Sequence, residues 1–239
     1  MNKLISRILP IVALFCFTVL GTIEAQQKLV FKDEFKKKKL GRRWENINGT
    51  WNIQQNTLEG AKNSKWAILL CKDDLPENYI LSFSTLVGSV NTTLFEVMLN
   101  LNKEKYLGIL LNQLDGNFAI EDRSLFPEEK AIEEGRYIET TGHVGMLPKV
   151  HNENKHVWLH WKIQKTNNEI YVWVNDESII SFAGISDITR NDKGKFGFAI
   201  NGEAKIDNVK LFKTLKEASL PPSDFQGRKL IMPFFLFGE

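Results

Sequence analysis

The sequence predicts an all-β sandwich of two antiparallel sheets, a jelly roll. Three observations predict it. Short runs with period-two alternation recur along the chain, bounded by Gly, Asn and Asp, which is the pattern of strands and turns. Two hairpin dipeptides, Asn175-Asp176 and Asn201-Gly202, stand between such runs. Helical periodicity is confined to one modest candidate, PEEKAIEEG at 127–135. Many short strands with few helices belong to the sandwich and barrel classes.

The chain of 239 residues opens on an address rather than an element of the fold. Lys3 and Arg7 precede the apolar run ILPIVALFCFTVL, and GTIEA closes on the small residue Ala25. Positive start, apolar middle and small-residue exit make a secretory signal. The run is about 13 residues with Pro10 inside it, short of the ~20 that span a bilayer. Bulky Phe15 ahead of Cys16 argues against a lipoprotein. The expected organisation is a cleaved signal at 1–25, a sandwich at 26–213 and a tail at 214–239 packing on it. The expected location is periplasmic or extracellular, with no membrane association after cleavage. Removing Lys3, Arg7 and Glu24 leaves 29 basic and 28 acidic residues, a net charge of +1. That balance argues against a nucleic-acid partner, which would want a clustered basic surface, and the chain is expected to act as a monomer. Lys36–Lys39 read as a solvated loop, since lysines in line repel one another. Cys71, in an apolar run, reads as a buried structural thiol with no disulfide partner.

The elements follow in order. TWNIQQNTLEGA reads as two strands around Gln55-Asn56, and WAILLC and NYILSFSTLV as two more separated by DDLPE. In TLFEVMLNLN the residues Phe95, Val97, Leu99 and Leu101 are expected on one face, with Met98 and Asn100 on the other. YLGILLN and NFAIEDR flank residues 113–116. Residues 124–155 lack clean alternation, hold Gly135, Gly142, Gly145 and Pro148, and read as a long functional or flexible loop. NEIYVWV and ESIISFAG flank Asn175-Asp176. GKFGFAI and EAKIDNVKLF flank Asn201-Gly202, for which a type I′ turn with both residues at positive φ is expected. After Lys213 come Pro221-Pro222 and KLIMPFFLFGE, whose apolar end suits closing a sheet edge or packing on the sandwich.

The chemistry centres on HVWLHWKIQ, His156 to Gln164. His156 and His160 have a metal-like spacing, but in an all-β chain the stretch is a strand. Val157, Leu159, Trp161 and Ile163 then share one face, and His156, Trp158, His160 and Lys162 the other. Residues four apart on a strand are separated by roughly 13 Å, too far for one zinc with ligand distances of about 2 Å. A face of imidazole and indole groups remains. Tyr171 and Trp173 alternate likewise on the next strand, so Trp158, His160, Tyr171 and Trp173 are candidates for one ligand face. Aromatic rings there offer apolar area for sugar C–H faces beside polar tips; burial under a loop is the alternative reading. Glu121, Asp122 and Arg123 form a charged cluster, with Arg123 placed to orient Glu121 or bind a hydroxyl, or simply to pair with it at the surface. Asp33-Glu34 read as strand-end geometry. Asp207-Asn208 are a weak candidate for a structural calcium; no other cofactor is expected. No phosphate loop or serine elbow is present.

These closing strands resemble those of concanavalin-like jelly rolls. Ile170 to Asp176, Gly194 to Phe198 and Ile206 to Leu211 are most similar to the I-x-V-x-V-N-G, G-x-I-G-L and F-x-N-I-x-I elements of the secreted 3-keto-disaccharide hydrolase family. FKDEF with Trp44 ten residues after Glu34 resembles the opening of family-16 glycoside hydrolases, and GTWNIQQNTLEGA a G-x-W-x-V-x-D-G-x-L element of the same sandwiches. The resemblance covers residues 28 to 213. It implies a concanavalin-like fold and a carbohydrate partner, recognised on a concave sheet. Family-16 enzymes carry Glu-x-Asp-x-x-Glu on one strand; the comparable positions here are Glu96, Met98 and Leu101, so one acid remains where a retaining mechanism needs two carboxyls ~5–5.5 Å apart. The Asn-Ser-Gly and Tyr-Glu-x-Gln-like stretches of the keto-disaccharide family are not found. Carbohydrate binding is the leading expectation. A glycoside or 3-keto-disaccharide hydrolase or lyase using Glu121, Glu96 or His160 is the second. A structural or protein-interaction module is the third.

Overall fold

A computed structural model describes residues 27–87, 94–103, 105–112, 117–122, 138–146, 157–167, 169–183, 194–214 and 228–232. Among these, sixteen strands form the chain order β1 (Gln27–Asp33), β2 (Trp44–Asn48), β3 (Thr50–Gln54), β4 (Thr57–Ala61), β5 (Ala67–Asp74), β6 (Tyr79–Val87), β7 (Leu94–Asn102), β8 (Lys105–Asn112), β9 (Asn117–Asp122), β10 (Ile138–Met146), β11 (Leu159–Thr166), β12 (Glu169–Val174), β13 (Glu177–Ala183), β14 (Lys195–Asn201), β15 (Glu203–Thr214) and β16 (Arg228–Met232). They make two eight-stranded antiparallel sheets. The first runs β13-β12-β11-β6-β15-β4-β3, with β1 also on β15; the second runs β16-β10-β9-β8-β7-β14-β5-β2. The twelve-residue β15 serves two neighbours on one side, pairing with β4 over Glu203–Ile206 and with β1 over Val209–Thr214.

Alternation drives the sandwich. From the first sheet, Leu81, Phe83, Trp161, Ile163, Val172, Val174 and Ile206 face inward. From the second, Phe95, Val97, Leu107, Ile109, Phe118, Phe196 and Phe198 meet them. Trp161 is the keystone: its ring lies 5.3 Å from Phe83, 5.6 Å from Phe95 and 5.0 Å from Phe118, centroid to centroid. Its indole N–H donates to Thr85 Oγ1 at 2.8 Å. This satisfies the polar edge that burial of a tryptophan would otherwise leave stranded.

Local chemistry sets the turns. Gln55 and Asn56 take φ of 50° and 60°, and Asn175 and Asp176 take 52° and 66°, the two positive φ values of type I′ hairpins. Asn201-Gly202 differs from expectation. Asn201 ends β14, and only Gly202 is at positive φ, 136°; this glycine makes the connection alone. Asp33 shapes the opening as a strand-end residue. Its carboxylate accepts from the Phe35 amide and from the Trp44 indole, both at 2.9 Å, and Phe35 takes φ of 47°. Glu34 sits between Lys32 and Lys36 at 2.6 Å each, and hydrogen bonds first to Lys32 and then to Lys36 hold its carboxyl down to about 2.

Two other expectations change. The stretch 124–155 contains a strand, β10, which pairs with β9 and β16; in-register pairing carries it where side-chain alternation does not. Of the two roles expected for the apolar tail segment, it takes the first: Arg228–Met232 form β16, the edge strand of the second sheet. In β7, Leu101 lies on the outer face with Met98 and Tyr106 rather than with Phe95. The cause is a bulge: the register shifts between Leu99 and Asn102, and Asn100 takes φ of 53°. Asn100 turns inward to accept a 3.0 Å hydrogen bond from the Tyr79 hydroxyl, and the added residue swings Leu101 outward. The expected signal at 1–25 and the helical candidate at 127–135 lie outside the described residues.

Cys71 is a free thiol, fully buried in the core. Burial, the largest influence, pushes its thiol up to about 12. Thiolate is the reactive form, so Cys71 should resist alkylation in the native protein at about pH 8 and label only after denaturation. Fast labelling of the native state at Cys71 would contradict this packing.

Candidate functional site

The outer face of the first sheet is built by the residues that alternate with its core. On β11, Trp161 and Ile163 point inward, which leaves His160 and Lys162 exposed on the opposite side. On β12, Ile170, Val172 and Val174 are buried, and Tyr171 and Trp173 are half-buried between them. The register sets the neighbours: Lys162 pairs with Trp173, Gln164 with Tyr171, and His160 with Ser84 of β6. Tyr171 and Trp173 stack with ring centroids 5.9 Å apart and planes 18° from parallel. Lys162 places its ammonium 4.8 Å from the Trp173 centroid, a cation–π contact.

Polar groups border this pair. His160 Nδ1 and Ser84 Oγ share a 2.9 Å hydrogen bond. The His160 amide donates to Asn175 Oδ1 and its carbonyl accepts from the Asn175 amide, both at 2.8 Å. The β12–β13 hairpin turn is thereby tied to β11, which anchors Trp173 two residues before the turn. The Tyr171 hydroxyl donates to Glu169 Oε2 at 2.9 Å. Burial first, then that hydrogen bond, raises the Tyr171 phenol above its ordinary value.

Trp158 departs from expectation. It precedes β11 and is half-buried in irregular backbone, so strand alternation does not place it beside His160. His156 and Arg123 lie outside the described residues. Asp207 and Asn208 form a bulge in β15: the register shifts there, and Asn208 takes φ of 55°. Both Asp207 oxygens accept from Asn208, at 2.7 and 2.9 Å. That arrangement uses the carboxylate to hold the backbone. Among the described residues no cluster of three or more His, Cys, Asp or Glu suits a metal.

Glu96 occupies the other surface. Glu96 alternates with the core residues Phe95 and Val97, and it lies fully buried on the outer face of the second sheet. The bulge at Asn100 brings Glu96, Met98 and Leu101 onto that face together. Glu96 Oε1 lies 2.2 Å from where a Cβ on Gly108 would stand; the glycine makes room for the carboxylate. Gly108 pairs with Met98 on one side and with Glu121 on the other, and Glu121 pairs in turn with Gly142. Stacked sheets are about 10 Å apart, and His160 and Glu96 project from opposite outer surfaces. The structure therefore places His160 and Glu96 on opposite surfaces, and one acid–base pair of the two is excluded. A glycine inside a strand pattern signals close approach; Gly108 in YLGILLN carried that signal for Glu96.

No protein-family model matches the chain, and no curated protein is similar to it in sequence. Solved structures are similar in fold. An endo-β-1,3-glucanase from Pyrococcus furiosus aligns with TM-score 0.59 at 12% identity, over 82% of this chain and 98% of its own. A laminarinase from Rhodothermus marinus aligns with TM-score 0.57 at 12% identity, over 80% and 98%. The carbohydrate-binding module CBM66 from Bacillus subtilis aligns with TM-score 0.55 at 11% identity, over 72% and 96%. At these identities the likeness is one of fold, and the fold is a concanavalin-like jelly-roll sandwich.

Proposed function

We propose that the protein is an exported carbohydrate-binding sandwich whose ligand lies on the outer face of the first sheet, on the Trp173–Tyr171 platform beside His160 and Lys162. The observation that carries this reading is the platform itself: two stacked aromatic rings, half-buried on the outer face of β12 and bordered by hydrogen-bonding groups. Sugars present C–H faces for such rings and hydroxyls for such neighbours. The fold supports it by analogy, since carbohydrate-binding modules and glucanases share it. The pattern at 1–25 supports export. Loss of glycan retention in Trp173→Ala, with the fold intact, is the test.

A second reading, hydrolysis of a glycoside or 3-keto-disaccharide, draws on one observation: Glu96 lies over Gly108, and Glu121 stands next to Gly108 in register. Acid–base chemistry uses paired carboxyls, and register sets two glutamate positions beside this one glycine. Against it, Met98 and Leu101 fill the next two outward positions of β7 after Glu96, and neither can transfer a proton. This reading expects measurable turnover that falls by about 100-fold or more in Glu96→Gln. Turnover unchanged by that substitution removes Glu96 from any catalytic role.

A further inference from the structure

The aromatic platform continues into a row of cations. Following the ladder across the first sheet, Trp173 pairs with Lys162, Lys162 with Ser82, Ser82 with Lys210, and Lys210 with Lys32. Directly paired residues share a face, so one line of side chains crosses β12, β11, β6, β15 and β1. At about 4.8 Å per strand the row spans roughly 19 Å, a length suited to an oligosaccharide. Lys162 is exposed, and Lys210 is half-buried.

Two of the acids near this row are ion-paired, and two others accept hydrogen bonds from neutral donors. Glu34 is held by Lys32 and Lys36, Glu59 by Lys205 at 2.7 Å, Glu169 by the Tyr171 hydroxyl, and Asp207 by Asn208. Among the described residues Lys162 contacts the Trp173 ring and has no ion pair, and Lys210 has no ion pair either. Lys210 and Lys32 stand directly opposite each other, an arrangement that costs stability; Glu34 relieves Lys32 and leaves Lys210 facing outward uncompensated. A row of this kind suits an anion that runs along the sheet.

Resting on the reading of this face as a glycan site, we propose that its ligand is an acidic glycan, carrying carboxylate or sulfate groups. A sugar ring lies on Trp173 and Tyr171, and the anionic groups lie on Lys162 and Lys210. Ammonium groups bind both kinds of anion as point charges, and hydrogen bonds to charged groups are the stronger ones.

The test titrates the full chain, after signal removal, with three oligosaccharide probes: oligogalacturonate, a sulfated galactan oligosaccharide and a neutral β-1,3-glucan oligosaccharide. Each is measured at about 0.05 M and about 0.5 M salt, with wild type, Trp173→Ala and the Lys162→Gln/Lys210→Gln double variant. The expected result is preference for at least one anionic probe over the neutral one by roughly tenfold or more, lost in the double variant. Anionic binding should also weaken at high salt. Which anionic probe binds identifies the acid group. Neutral glucan bound as tightly as the anionic probes, with the double variant unaffected, overturns this inference and leaves the glycan-binding reading standing. No binding by any probe removes that reading and the inference with it. Unchanged thermal melting of the double variant is the control for folding.

Discussion

Trp161→Ala should unfold the protein more readily than any other single truncation in the first sheet. The ring meets Phe83 on the neighbouring strand and Phe95 and Phe118 across the sandwich, so its removal opens a cavity shared by both sheets. Large-to-small changes of this kind cost about 3–5 kcal/mol. The lost indole also strands Thr85 Oγ1, which is fully buried, and an orphaned buried hydroxyl adds about 1–3 kcal/mol. A typical domain has only about 5–15 kcal/mol of net stability, so the variant should show a strongly lowered urea midpoint or fail to accumulate folded. A midpoint within error of wild type would mean that the two sheets do not pack through Trp161.

Trp173→Ala should behave in the opposite way. Trp173 is one strand away, paired with Lys162, but it faces outward. Its truncation removes a stacking contact with Tyr171 and a cation–π contact with Lys162, each worth about 0.5–1.5 kcal/mol at an exposed site. The fold should survive with a modest loss of stability. Glycan affinity should fall about 30-fold or more, the effect expected of a central aromatic anchor costing ~2 kcal/mol. Trp173→Phe should recover part of it, because a smaller ring still offers a face. If Trp173→Ala instead destabilises as Trp161→Ala does, then Trp173 is a packing residue and the ligand face loses its anchor. The contrast between these two tryptophans separates a core role from a binding role within one hairpin.

Much of the fold was legible in the sequence because alternation and turn chemistry are local. NEIYVWV shows its buried Ile170, Val172 and Val174 and its outward Tyr171 and Trp173 directly in the order of its residues. Asn175-Asp176 marks its turn by the positive φ that both residues tolerate. The exceptions have nonlocal causes. Leu101 changes face because Asn100 bulges inward to meet Tyr79, a partner 21 residues away. β10 forms because β9 and β16 offer edges to pair with, which its own glycine-bearing sequence does not announce. The candidate site divides for the same reason. His160 and Glu96 are each readable as outward-facing polar residues, but only the strand order assigns them to different sheets. The lysine row is assembled from β11, β15 and β1, three segments far apart in the chain, and register alone aligns them.

Whether this sandwich holds a glycan on the Trp173 face or turns one over is decided by one paired measurement. Residues 26–239 are run in native gels containing individual neutral or acidic polysaccharides and, in parallel, incubated with the corresponding oligosaccharides and with 3-keto-disaccharides to detect product. Retardation by at least one polysaccharide, abolished in Trp173→Ala and unaccompanied by product, is the predicted result. Product formation that disappears in Glu96→Gln, or free migration through every polysaccharide, would contradict it.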